Sequence, residues 1–135
     1  MKPTQILFWL ARIVAAFLML QTLYYKFTAS PESVFIFTTV GMEPWGRWLI
    51  GVLELVASIL LFIPALVWLG AALAIGLMAG AIGMHITLLG IEVQGDGGRL
   101  FSYAAIVLVC AAYIFWTCRK TIPASLQRWL PLFFR

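Results

Sequence analysis

Three long apolar runs, separated by more polar stretches, set the pattern of this chain. The first extends from about Ile6 to Tyr25 and closes on Lys26, the second from Trp48 to Gly90, and the third from about Leu100 to Cys118. The hydrocarbon core of a bilayer takes about 20 apolar residues of helix, so the outer runs predict one span each. The middle run is too long for one span and about right for two, with the break at "FIPALVW". Pro64 suits that break, because the first turn of a helix has no use for the N–H that proline lacks. Spans are therefore expected at about 6–25, 47–63, 65–89 and 100–118, the middle two forming an antiparallel hairpin. The stretch "TASPESVFIFTTVGMEPWG" between the first two follows another pattern. Ser30 reads as an N-cap with Pro31 and Glu32 just inside, and "VFIF" is too short to span. It predicts an interfacial helix at about 31–40, closed by the turn from Gly41 to Gly46. The expected fold class is all-α: an integral-membrane four-helix bundle with a short interfacial helix between the first and second spans.

Composition makes lipid the solvent. Of 135 residues, 64% are hydrophobic and 10% charged, against about 45–50% and about 25% in soluble domains. A soluble domain this small could not hide so much apolar surface, so the chain is expected to be one membrane domain, 1–135, with the bilayer as its first partner. The net charge of +4 then marks helix ends rather than a nucleic-acid surface. The first run outlasts a signal-peptide core and ends in Tyr24, Tyr25 and Lys26 instead of a small-residue cleavage site, so it reads as a retained helix. With four spans, Lys2, Arg12, Arg119, Lys120, Arg128 and Arg135 share one side, leaving Lys26, Arg47 and Arg99 on the other with Glu32, Glu43, Glu92 and Asp96. The basic excess marks the cytoplasmic face. Both termini are expected there, in a cell inner membrane, with 119–135 as an amphipathic tail. Cys110 and Cys118 stand eight residues apart in one helix, roughly 12 Å of rise, too far for a disulfide.

Ionisable groups inside lipid are costly enough that each invites a functional reading. Arg12 lies near the cytoplasmic end of the first span, where it is expected to snorkel back to the headgroups as an anchor. Counting at 1.5 Å per residue, Glu54 lies roughly 10 Å below the external surface and His85 roughly 6 Å below it, with Gln21 at similar depth and Lys26 at the end of its helix. Four polar residues on three helices thus converge on the external third of the membrane. Gly51, Glu54, Ala57 and Ser58 share one small, polar helix face, and Met78, Ala81 and His85 form a stripe on the next helix. Ala72, Gly76 and Gly80 beside that stripe read as a small-residue ladder for close helix approach. The loop "GIEVQGDGGRL" brings Glu92, Asp96 and Arg99 to the external mouth. Two readings follow. Lys26, Glu54 and His85 form a structural clasp that fixes helix register, or with Gln21 they line a pocket that relays protons or binds the polar head of a lipophile such as a quinone. There is no GxGxxG, P-loop, HExxH or nucleophile-elbow motif, and no haem, flavin or metal motif. Four short helices without an inverted repeat are thin material for a transporter.

Taken together, "LARIVAAFLMLQTLYYKF", "TVGMEPWGRWLIGVLELVASILLFIP" and "LMAGAIGMHITLLG" resemble the DoxX family of small four-helix membrane proteins. The shared features are Arg12 early in the first helix, Lys26 closing it, a Gly–x–x–Pro turn at Gly41 and Pro44, Glu54 before the Leu60–Leu61 pair, and His85 ending the third helix. The resemblance covers about Leu10 to Trp116. The chain departs from it at "QTLYYK", where the family often has Gly before the Lys. What the resemblance implies is a link to membrane redox systems, including thiosulfate:quinone oxidoreductase subunits and complexes handling thiol stress. The family's recurring polar positions fall here on Arg12, Lys26, Glu54 and His85. The function expected is an accessory or quinone-interacting component of such a system, with a redox complex or further copies of itself as partners. The alternative is a non-enzymatic structural subunit or assembly factor of a larger membrane complex.

Overall fold

The computed structural model describes residues 1–129, so the end of the expected tail, with Arg135, lies outside the described residues. The described fold is all-helical: α1 (Pro3–Phe27), α2 (Pro31–Thr39), α3 (Trp45–Leu60), α4 (Val67–Met84), α5 (Arg99–Cys118) and a short α6 (Ala124–Gln127). A 3-10 turn at Pro64–Leu66 leads into α4, and a π turn at His85–Leu89 prolongs it. Local chemistry sets several of these limits. Pro3 occupies the first turn of α1, where the Gln5 side chain accepts the Lys2 N–H at 2.9 Å. Ser30 caps α2 as its sequence predicts, accepting from Ser33 N–H at 3.3 Å. Gly41, at φ +76°, supplies the left-handed turn after it.

Among the described residues, three helical segments are long and apolar enough to cross a membrane: Pro3–Phe27, Pro64–Leu89 and Arg99–Thr121. α3 has 16 residues, a rise of roughly 24 Å, and falls short of that length. Even so it is an equal member of the bundle. α1 packs on α3 and α5, and α4 packs on the same two, which closes a ring of four helices. The interior is built largely of alanine, with Ala15, Ala57, Ala71, Ala74 and Ala111 fully buried. Small side chains allow the close approach that holds helices together where apolar burial supplies no driving force. The large apolar groups turn outward instead: Phe17 is 64% exposed, Trp116 58% and Val109 70%. A surface of this kind wants lipid, not water, and the chain reads as a membrane protein.

α4 approaches the end of α3 closely at Gly70. A Cβ there would come within 2.9 Å of Leu60 Cβ and Leu61 N and 3.0 Å of the Ala57 carbonyl oxygen, so only glycine lets α4 close onto the end of α3. The predicted ladder of Ala72, Gly76 and Gly80 is not a contact seam. A Cβ at Gly76 or Gly80 would meet no atom within 4 Å. The buried face of α4 runs instead through Val67, Gly70, Ala71, Ala74 and Met78, a register that leaves both glycines outside it.

Candidate functional site

Glu54 belongs to the buried α3 face that the sequence outlines, with Gly51, Ala57 and Ser58 all buried beside it. Its carboxylate reaches across to α1, where Lys26 Nζ stands 2.9 Å from Glu54 Oε2, the two side chains 13% and 6% exposed. Lys26 also donates to Thr22 Oγ1 at 2.9 Å. The Thr22 hydroxyl in turn lies 2.8 Å from the Met19 carbonyl oxygen and 3.4 Å from Glu54 Oε2. Thr22 went unread in the sequence, although its spacing of four residues puts it on the same helix face as Lys26. Gly51 makes the approach possible, since a Cβ there would sit 2.9 Å from the Phe27 ring.

His85 does not join the ion pair. Its Nδ1 lies 2.8 Å from the Gly90 carbonyl oxygen. A carbonyl only accepts, so Nδ1 carries a proton, and in the neutral tautomer Nε2 is left as an acceptor. The Phe101 ring meets the imidazole edge-on at 5.7 Å. The π turn produces this arrangement: Gly90, at φ +82°, folds the chain back so that its N–H reaches the His85 carbonyl oxygen at 2.8 Å.

What unites the predicted residues is a cavity of about 330 Å³, with Gln21, Lys26, Glu54 and His85 all in its wall. That volume falls in the range of small-molecule sites, about 300–1,000 Å³. The rest of the wall is mostly apolar, and it includes Met78 and Ala81 from the stripe read on α4. Gly76 and Gly80 also line the cavity and are themselves exposed, so it runs out to the surface along α4. The Gln21 Nε2 atom is buried without a hydrogen-bond partner.

The expected mouth is realised in part. Arg99 lines the cavity and pairs with Glu32 of α2, 3.7 Å from Oε2, while Glu32 Oε1 is buried and unpartnered. The sequence reads Glu32 as a helix-start residue on the same side as Arg99, but nothing in it aims α2 at α5. Asp96 turns into its own loop: Oδ1 accepts from Val93 N–H at 3.0 Å and Gly98 N–H at 2.8 Å, and Oδ2 from Leu100 N–H at 3.2 Å. Burial pushes its carboxyl up, but those three donors and the charge of Arg99 outweigh it and hold the group below the usual carboxylate range. Glu92 is exposed and takes no part in the cavity wall.

Two arginines also behave in ways the sequence did not disclose. Arg12 lies against the end of α3. It is 5% exposed, its Nε donates to the Leu61 carbonyl oxygen at 2.6 Å, and its guanidinium lies 4.1 Å from the Trp9 ring centre. Arg47, 4% exposed, grips the Glu43 carboxylate at 2.9 Å and 3.0 Å through Nε and donates to the Lys26 carbonyl oxygen. Among the described residues, no group of three or more His, Cys, Asp or Glu is placed to hold a metal ion. No family model matches the chain, and comparison with curated proteins and with solved structures likewise finds no match. The resemblance to the DoxX family therefore rests on the motifs quoted above.

Proposed function

We propose that this chain is a small DoxX-like membrane protein, an accessory component of a membrane redox system that holds a quinone or similar lipophile in the cavity beside Glu54. Its topology in this reading is four spans, with α3 prolonged by the turn to Ile63, and α2 lying at the interface. Both termini face the cytoplasm across a cell inner membrane. The observation that carries the reading is the cavity itself: apolar walls, one polar end formed by Lys26, Glu54 and Gln21, and an opening along the glycines of α4. A lipid-soluble ligand would enter sideways past Gly76 and Gly80 and bring its head group to the ion pair. His85 Nε2 offers an acceptor across the same space.

The test is equilibrium binding of a short-tailed benzoquinone to the protein in nanodiscs, with empty nanodiscs as the blank. Glu54→Gln is expected to abolish binding, and unchanged affinity would sink the pocket reading. A cysteine placed at Gly97 should react only with reagents added from the external side, and labelling from the cytoplasm would overturn the topology. A second reading, a structural subunit or assembly factor, is favoured by one observation. The Lys26–Glu54 pair is already closed by Thr22 and asks for no ligand. In that case Glu54→Gln alters stability and partner capture but no ligand affinity.

A further inference from the structure

A closed ion pair leaves open which head groups the cavity can recognise, and two atoms without partners speak to that. Gln21 Nε2 on α1 is a donor and Glu32 Oε1 on α2 is an acceptor, both buried, both without a hydrogen bond, and both residues line the same cavity. A buried polar atom left unpaired carries the full cost of its desolvation, so each calls for a complementary group. The two atoms have opposite hydrogen-bonding sense. Charge is balanced as well, since Lys26 faces Glu54 and Arg99 faces Glu32 across the cavity wall. An anionic head group such as a phosphate would meet a carboxylate beside each of the two cations.

We infer that the cavity selects a neutral, hydroxyl-bearing lipophile, a hydroquinone or phenol rather than a quinone, because its head must donate to Glu32 Oε1 and accept from Gln21 Nε2. A quinone carbonyl only accepts. It satisfies Gln21 and leaves the Glu32 oxygen unpaired in a space it has just dried. A hydroquinone satisfies both, since each hydroxyl donates once and accepts as well. The selectivity therefore resides in Glu32, while Gln21 serves both redox forms alike. This inference rests on the cavity reading above and narrows its ligand class.

The experiment compares a short-tailed benzoquinone with its hydroquinone, both bound anaerobically to the full chain in nanodiscs. A hydrogen bond to a carboxylate is strong enough that the hydroquinone should bind about tenfold tighter or more. Glu32→Gln should bring the ratio close to one, because an amide offers a donor to the carbonyl as readily as an acceptor to the hydroxyl. Retained quinone affinity in that variant shows that it has folded. Gln21→Leu should weaken both forms by a similar factor and leave their ratio intact. Equal affinity of the two forms for the unaltered protein overturns the inference and leaves the cavity reading standing. A preference that survives Glu32→Gln also overturns it, and binding of neither form overturns the cavity reading along with it.

Discussion

The Lys26–Glu54 pair offers the sharpest test of how this bundle is held. Its heavy atoms are 2.9 Å apart and its side chains nearly sealed from solvent. Removing one partner from a buried pair strands the other and costs about 3–5 kcal/mol, whereas replacing both with apolar groups of similar volume is often neutral. The local geometry says which single change is worse. After Glu54→Leu, Lys26 keeps its 2.9 Å bond to Thr22 and stands at the helix end, where its stem can carry the ammonium toward the interface. After Lys26→Met, Glu54 retains only the 3.4 Å contact with Thr22. Lys26→Met is therefore expected to cost about 4 kcal/mol, Glu54→Leu about 3 kcal/mol, and the double variant less than either. Reversible unfolding in mixed micelles, followed by circular dichroism against detergent mole fraction, measures all three. Losses that simply add in the double variant would refute the coupling and with it the view that these groups depend on each other.

Three further outcomes follow from the same geometry. Gly70→Ala forces a methyl group into the α3–α4 crossing and should cost about 1–3 kcal/mol in that unfolding assay. Gly76→Ala meets open space and should stabilise the helix by up to about 1 kcal/mol, so equal effects at the two sites would contradict the assigned register. Arg12→Leu strands the Leu61 carbonyl oxygen and is expected to lose about 2 kcal/mol, while a loss below about 0.5 kcal/mol would return Arg12 to the headgroups. Asp96→Asn removes the negative charge at the start of α5 and should loosen it by about 0.5 kcal/mol near neutral pH. Because the folded carboxyl titrates below its unfolded value, its contribution is complete above about pH 4 and is lost as pH falls through the folded pKa. Amide exchange at Gly98 and Leu100 should therefore distinguish variant from parent at pH 6 and converge at low pH. A difference that persists below the folded pKa would exclude the carboxylate as its source.

Periodicity and depth made much of this legible. The α3 face of Gly51, Glu54, Ala57 and Ser58 came from helical spacing, and the meeting of Lys26 with Glu54 came from counting residues down from the helix ends. Both methods measure position along or around one helix, and they fail where a second element decides. Depth placed His85 with the pair, but a π turn bound its imidazole to Gly90, and no helical spacing announces that turn. The Gly76 and Gly80 spacing identified a bare helix surface without saying whether a helix or a void would face it. Arg12 was read by its distance from the membrane edge, whereas its direction is set by the end of α3.

The direction of Arg12 has a physical explanation that reaches the site. A helix C-terminus carries carbonyl oxygens with no partner in the helix, and in lipid no water is at hand to satisfy them. α1 and α3 run antiparallel, so each places an arginine beside the other's C-terminus: Arg12 of α1 takes the Leu61 carbonyl oxygen, and Arg47 of α3 takes that of Lys26. Each cation also opposes the negative end of the helix dipole it meets. The two helices are thereby fastened at both ends, and Lys26 is fixed through its backbone by Arg47 and through its side chain by Glu54 and Thr22. The polar end of the cavity is thus a braced wall, while its far side is α4 with two glycines at which an added Cβ would meet open space. A ligand admitted on that open side would meet donors and acceptors already held in place, and would not have to spend its binding energy on ordering them.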